Sequence, residues 1–154
     1  MEKDIVKAAK ELAKKLHEGM TDKYGNPYFY HLERVANRVR EMEYNMVDET
    51  SEINLYIVAA YLHDVIEDTD YLIGDLIDEF GETIAEAVKL LTRDKKETYA
   101  NYVIGIKNSV FLEGKIARVV KLADLFDHLM GPTPCPPNLI KRYEKSLYAL
   151  IGSV

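Results

Sequence analysis

From Ile53 to Leu62 the chain carries no charged residue, and it then runs directly into His63-Asp64-Val65-Ile66-Glu67-Asp68. An uncharged stretch of helical period suits an element packed on most sides. On a helical projection, His63, Asp64, Glu67 and Asp68 share one arc, and Val58, Ala59, Leu62, Val65 and Ile66 fill the opposite one. Four ionisable groups on one arc of an apolar helix are costly unless something satisfies them. A divalent cation with water would do so. The competing reading is a helix end that emerges into solvent with these four as surface residues.

Two other segments bear on that choice. Gly25-Asn26-Pro27-Tyr28-Phe29-Tyr30-His31 sets a histidine at a helix start directly after a turn, and Val119-Val120-Lys121-Leu122-Ala123-Asp124 sets one aspartate in an apolar helical run. His31, His63, Asp64 and Asp124 together supply two imidazoles and two carboxylates. That donor set suits Mn²⁺, Fe²⁺, Co²⁺ or Zn²⁺ and leaves room for water. Glu67 and Asp68, one turn beyond the His-Asp pair, are the candidate catalytic acids, able to orient or deprotonate an attacking water. Capping of the next helix, or a salt bridge, is the structural alternative for both.

The order of these segments resembles that of the HD-domain metal-dependent phosphohydrolases. Pro27-Tyr28-Phe29-Tyr30-His31 with Val35-Ala36 is similar to the family's PYxxHxxxVA, Leu62 to Thr69 to its LHDxxEDT, and Val120 to Asp124 to its VKLAD. The likeness extends to Glu79-Phe80-Gly81, Leu91-Thr92-Arg93 and Thr98-Tyr99, and so covers roughly residues 8 to 130. Within the family it is nearest the hydrolase domain of RelA/SpoT-type enzymes and the small stand-alone proteins that cleave (p)ppGpp. The resemblance implies an all-α HD-domain bundle and a (p)ppGpp 3′-pyrophosphohydrolase, with Mn²⁺ the usual metal and Mg²⁺ a further option. It also implies that Glu67 and Asp68 act on the attacking water, and that Lys23 lines the nucleotide site.

The chain departs from the family around the nucleotide. Asp22 stands where an arginine usually packs on the base, Met20 where a glutamine is usual, and His128, beside Asp127, where an asparagine contacts the nucleotide. Substrate contacts are therefore expected from Lys23, His128 and Arg93, the last clustered with Lys95 and Lys96. Lys115, Arg118 and Lys121 form a second basic cluster; for both clusters a solvated helix face is the plainer reading, and Lys121 could instead reach a carboxylate. His17 matches a family position but reads as a structural histidine closing the first helix, and Tyr28 reads as packing.

Composition agrees with a compact enzyme. With 154 residues, 47% of them hydrophobic, one domain over 1–154 with one core is expected. Apolar runs are too short for a membrane span, and Met1-Glu2-Lys3-Asp4 is too charged for a signal-peptide core. One cysteine, Cys135, fits a cytoplasmic location. A net charge of −6 argues against a general nucleic-acid binder. Periodicity predicts helices over 3–17, from Tyr30 or His31 onward, over 52–67, from a Thr69 or Asp70 cap to near Gly81, and over 82–92, 97–111, 115–129 and 138–151, with a loop from Gly19 to Pro27. Three functions follow: the (p)ppGpp hydrolase, an HD hydrolase of another nucleotide or phosphoester, or a metal- or nucleotide-sensing module of low turnover. Oligomeric state is not readable from the chain.

Overall fold

The computed structural model describes residues 4–44 and 52–152; Lys3, the expected start of the first helix, lies outside them. Every named element among the described residues is a helix: α1 (Ile5–Leu16), α2 (Phe29–Tyr44), α3 (Ile53–Leu62), α4 (Val65–Asp68), α5 (Ile73–Phe80), α6 (Glu82–Leu90), α7 (Tyr99–Asn108), α8 (Leu112–Met130) and α9 (Pro137–Ile151). The all-α architecture is the one the sequence predicts. None of these helices is long and apolar enough to cross a membrane.

α1 starts at Asp4, whose carboxylate accepts from the Lys7 N–H at 3.1 Å, a side-chain N-cap. It turns Ala9 and Ala13 fully inward. The loop that follows reverses through two backbone bonds of 2.9 Å, Asp22 N–H to the Asn26 carbonyl and Tyr28 N–H to the Met20 carbonyl. α2 then begins at Phe29 and carries His31, Leu32, Val35, Ala36 and Val39 into the interior. α3 is buried on all sides from Tyr56 to Leu62 and packs against α1, α2, α6 and α8. α8, buried over most of its length, runs past α2, α3, α6, α7 and α9.

The predicted helix over 52–67 is broken at His63 and Asp64, and α4 adds a single turn. Asp64 has φ −102° and ψ 0°, and the His63 Nδ1–H donates to the Ala60 carbonyl at 2.6 Å. A side chain that takes a helical acceptor competes with the next turn. The break falls on the His-Asp pair itself. Neither Thr69 nor Asp70 caps α5, whose N-cap is Leu72. The Thr69 hydroxyl instead donates to the Val65 carbonyl at 2.6 Å and accepts from the Tyr71 N–H at 3.2 Å, which closes α4. Gly81, between α5 and α6, has φ +88°, a left-handed value open to glycine at little cost.

The corner between α7 and α8 corrects another expectation. α8 begins at Leu112 rather than 115, and Arg118 is buried rather than solvated. Its guanidinium donates to the carbonyls of Ile106, Lys107 and Ser109 at the C-terminal end of α7. Gly114 lets the two helices meet, because a Cβ there would overlap the Ser109 carbonyl. Gly114→Ala should therefore lower unfolding free energy by about 1–3 kcal/mol in chemical denaturation, with far-UV helicity retained.

Candidate metal centre

His31 arrives from the first turns of α2, His63 and Asp64 from the break between α3 and α4, and Asp124 from the middle of α8. The structure brings these four together. One ligand atom each of His31, His63 and Asp124 lies within 4.8 Å of the others. Asp64 Oδ2 is 3.2 Å from His63 Nε2 and 4.0 Å from His31 Nε2.

The hydrogen bonds around the two rings decide what they can do. His31 donates from Nδ1 to Asp127 Oδ2 at 2.7 Å, and His63 donates from Nδ1 to the Ala60 carbonyl at 2.6 Å. Both rings are thereby fixed with Nε2 facing inward. Both Nε2 atoms are buried and lack a hydrogen-bond partner, although Asp124 Oδ1 lies only 3.0 and 3.5 Å away. Buried nitrogens aimed at a common point between two carboxylates are the donor set a divalent cation requires. His31, His63, Asp64 and Asp124 fit that role.

Each carboxylate is also held. Lys121 Nζ pairs with Asp124 Oδ2 at 2.9 Å, leaving Oδ1 toward the histidines. Lys121 therefore reaches a carboxylate, as its position three residues before Asp124 allows. Tyr28 donates its hydroxyl to Asp64 Oδ2 at 2.6 Å, so its role exceeds packing; burial and the Asp64 charge keep that phenol protonated. Burial works against the charge on Asp64, but His63 outweighs it and holds the carboxyl below its usual range. Burial likewise opposes the charge on Asp124, and Lys121 with His128 overcomes it.

Asp127 and Arg34 are the partners that sequence reasoning did not assign. Asp127 accepts from His31 and, at 2.9 and 3.1 Å, from Arg34 in a two-point contact. Burial opposes its charge, yet these bonds hold its carboxyl down to about 2. A helical signal existed. Arg34 lies three residues after His31, and Asp127 three after Asp124, so each shares a face with a ligand candidate.

Of the candidate catalytic acids, Glu67 lines one of the two cavities that meet here and Asp68 lines neither. Glu67 Oε1 accepts the Arg93 N–H at 3.1 Å. Burial, with the Asp64 and Asp68 charges, raises its pKa against the pull of that bond. Asp68 is about one-third exposed, with Oδ2 3.8 Å from His17 Nε2. Neither caps α5.

Two cavities meet at this point and share Tyr28, His128 and Tyr143. One, of about 330 Å³, has a largely apolar wall that includes Tyr24, Pro134, Pro136 and Leu139, with Lys23 at its edge. The other, of about 530 Å³, includes Arg93, Lys95, Lys121 and Arg142. His128 spans both: its Nε2 is 3.2 Å from Asp124 Oδ1 and its ring stacks on Tyr143 at 5.1 Å. Asp22 has a structural task, accepting the Tyr24 and Asn26 N–H groups at 2.8 and 3.0 Å and so building the loop before α2.

A family model described as an HD domain matches residues 9–108, and the chain belongs to the HD-domain family. Among curated proteins it is 41% identical over 96 residues to the guanosine-3′,5′-bis(diphosphate) 3′-pyrophosphohydrolase of Vibrio cholerae, an alignment covering 58% of this chain and 12% of that one. It is 32% identical over 127 residues to the protein of the same name from Aquifex aeolicus, covering 80% of this chain and 17% of the relative. The chain thus spans a small part of the length of these relatives. A solved structure described as a metazoan ortholog of SpoT that hydrolyzes ppGpp superposes with a TM-score of 0.72 at 24% identity, over 99% of this chain and 89% of that one. That likeness is one of fold.

Asp127→Ala removes the acceptor that fixes the His31 ring. Mn²⁺ affinity, measured by titration calorimetry, should fall about 10–100-fold while circular dichroism stays native.

Proposed function

We propose that this chain is a cytoplasmic, Mn²⁺-dependent (p)ppGpp 3′-pyrophosphohydrolase whose domain spans 1–154. The observation that carries the reading is the pair of unpartnered Nε2 atoms of His31 and His63 at the seam of an apolar and a cationic cavity. A divalent cation held by His31, His63, Asp64 and Asp124 supplies Lewis-acid polarisation of a phosphoryl oxygen and an acidified water.

The protein's own groups do the rest. The apolar cavity accepts the purine, with Lys23 at its edge and His128 between base and reacting centre. The cationic cavity accepts phosphate through Arg93, Lys95 and Arg142. Its wall includes Tyr99, whose buried hydroxyl has no partner, with Arg142 at 4.9 Å and Arg93 at 5.7 Å from the ring. Water attacks the phosphorus bonded to the ribose 3′-oxygen, that P–O bond breaks, and pyrophosphate leaves as the 3′-oxygen gains a proton. Glu67 and Asp68 take the proton from the water and return one to the leaving oxygen. A raised carboxyl pKa at Glu67 suits that exchange. The curated relatives that bear this activity in their names support the same reading.

The occupied Asp22 favours a second reading, hydrolysis of a different phosphorylated nucleotide at the same centre. A panel of ppGpp, pppGpp, NADPH and nucleoside monophosphates, assayed with Mn²⁺ after chelation, separates the two. Pyrophosphate released from ppGpp supports the first; turnover of another nucleotide alone supports the second. Binding without release would make the chain a sensor. Glu67→Gln keeps an acceptor for the Arg93 N–H but loses its basicity. It should reduce kcat by about 100-fold or more while Mn²⁺ stoichiometry is unchanged. Full kcat in that variant would move the acid–base role to Asp68.

A further inference from the structure

His17 is a buried imidazole to which the reaction above gives no role. It closes α1, its side chain is 0% exposed, and its Nδ1–H donates to the Ala13 carbonyl at 2.9 Å. The ring stacks on Tyr28, with centroids 5.5 Å apart and planes 26° apart. Backbone on one edge and an aromatic wall on one face leave the imidazole little room to turn. Its Nε2 has no hydrogen-bond partner, and Asp68 Oδ2 stands 3.8 Å in front of it.

Such a nitrogen is costly to leave unpaired. A carbonyl oxygen can only accept, so Nδ1 must carry a hydrogen, and Nε2 is the edge left for another partner. Asp68 is the mobile member of the pair, because its side chain is 32% exposed while that of His17 is enclosed. A small rotation of the aspartate closes the gap to a direct bond. Tyr28, the wall of this imidazole, also donates to Asp64, so the same ring that locks His17 is tied to the metal centre.

We propose that His17 is the positioning residue for Asp68: its Nε2 and Asp68 Oδ2 share one proton in a hydrogen bond that holds the other carboxylate oxygen toward the attacking water. The proposal rests on the reading of Asp68 as an acid–base group. Without the bond, a side chain about one-third exposed samples several rotamers, and few of them face the water. The effect is on orientation, so it belongs in kcat rather than in binding.

The test uses the full chain loaded with Mn²⁺. His17→Phe keeps an aromatic ring against Tyr28 and removes Nε2; His17→Gln restores an N–H near that position. For His17→Phe, kcat of pyrophosphate release from ppGpp should fall about 10–100-fold, with KM and Mn²⁺ affinity within about twofold and His17→Gln recovering most of the loss. Unchanged kcat in His17→Phe, or equal impairment in both variants, would overturn the proposal. A second measurement needs neither turnover nor the His17 variants. In ¹⁵N-labelled protein the His17 Nε2 resonance should move on Asp68→Asn while Nδ1 stays; an unmoved Nε2 overturns the contact, including where His17→Phe fails to fold. Wild-type protein that releases no pyrophosphate from ppGpp would remove the proposed substrate, and the ¹⁵N measurement would then decide the contact alone.

Discussion

Each of the two buried imidazoles at the centre, His31 and His63, commits one nitrogen to a hydrogen-bond acceptor and presents the other inward. Much of the local architecture follows from that division. Holding the His63 Nδ1–H on the Ala60 carbonyl coincides with the break between α3 and α4, which lets Asp64 sit beside the ring. Holding the His31 Nδ1–H requires Asp127 on α8, and burying Asp127 in turn requires Arg34 on α2. The packing of α2 on α8 is thus tied to the orientation of a ligand candidate, and a change at either helix would be felt at the centre.

The electrostatics are arranged around the same point. The chain as a whole is acidic, with net charge −6, yet one side of the cleft gathers Arg93, Lys95, Lys121 and Arg142. Lys121 is neutralised by Asp124, and the others remain available to an anion. The opposite side is aromatic and apolar. A ligand with a flat base at one end and phosphates at the other matches this division. Long-range attraction of an anion would be weak for such a chain, so its recognition would rest on the local cluster rather than on overall charge.

Helix existence was legible because apolar spacing repeats strongly along this chain. Boundaries were less so. The uniform hydrophobicity of Ile53–Leu62 hides the break after it, since periodicity records which face is buried and not which acceptor a side chain will take. Arg118 read as a surface cation because nothing in its neighbours reveals that α7 ends against it. His17 read as structural for the same reason: its orphaned Nε2 becomes visible only when Asp68, distant in sequence, lies opposite.

What the sequence determined by itself was residue chemistry at fixed spacing: the His-Asp pair, the aspartate three residues after Lys121, the histidine after the Pro-Tyr turn, and the family to which they point. Those features are local, so one strand of text carries them. What only the tertiary structure decided was who faces whom. Asp127 against His31, Tyr28 against Asp64, Glu67 against the Arg93 amide and two cavities meeting at one seam all depend on helices brought together from distant parts of the chain. Side-chain hydrogen bonds act over about 3 Å, and no spacing along a sequence encodes a distance of that size between separate helices.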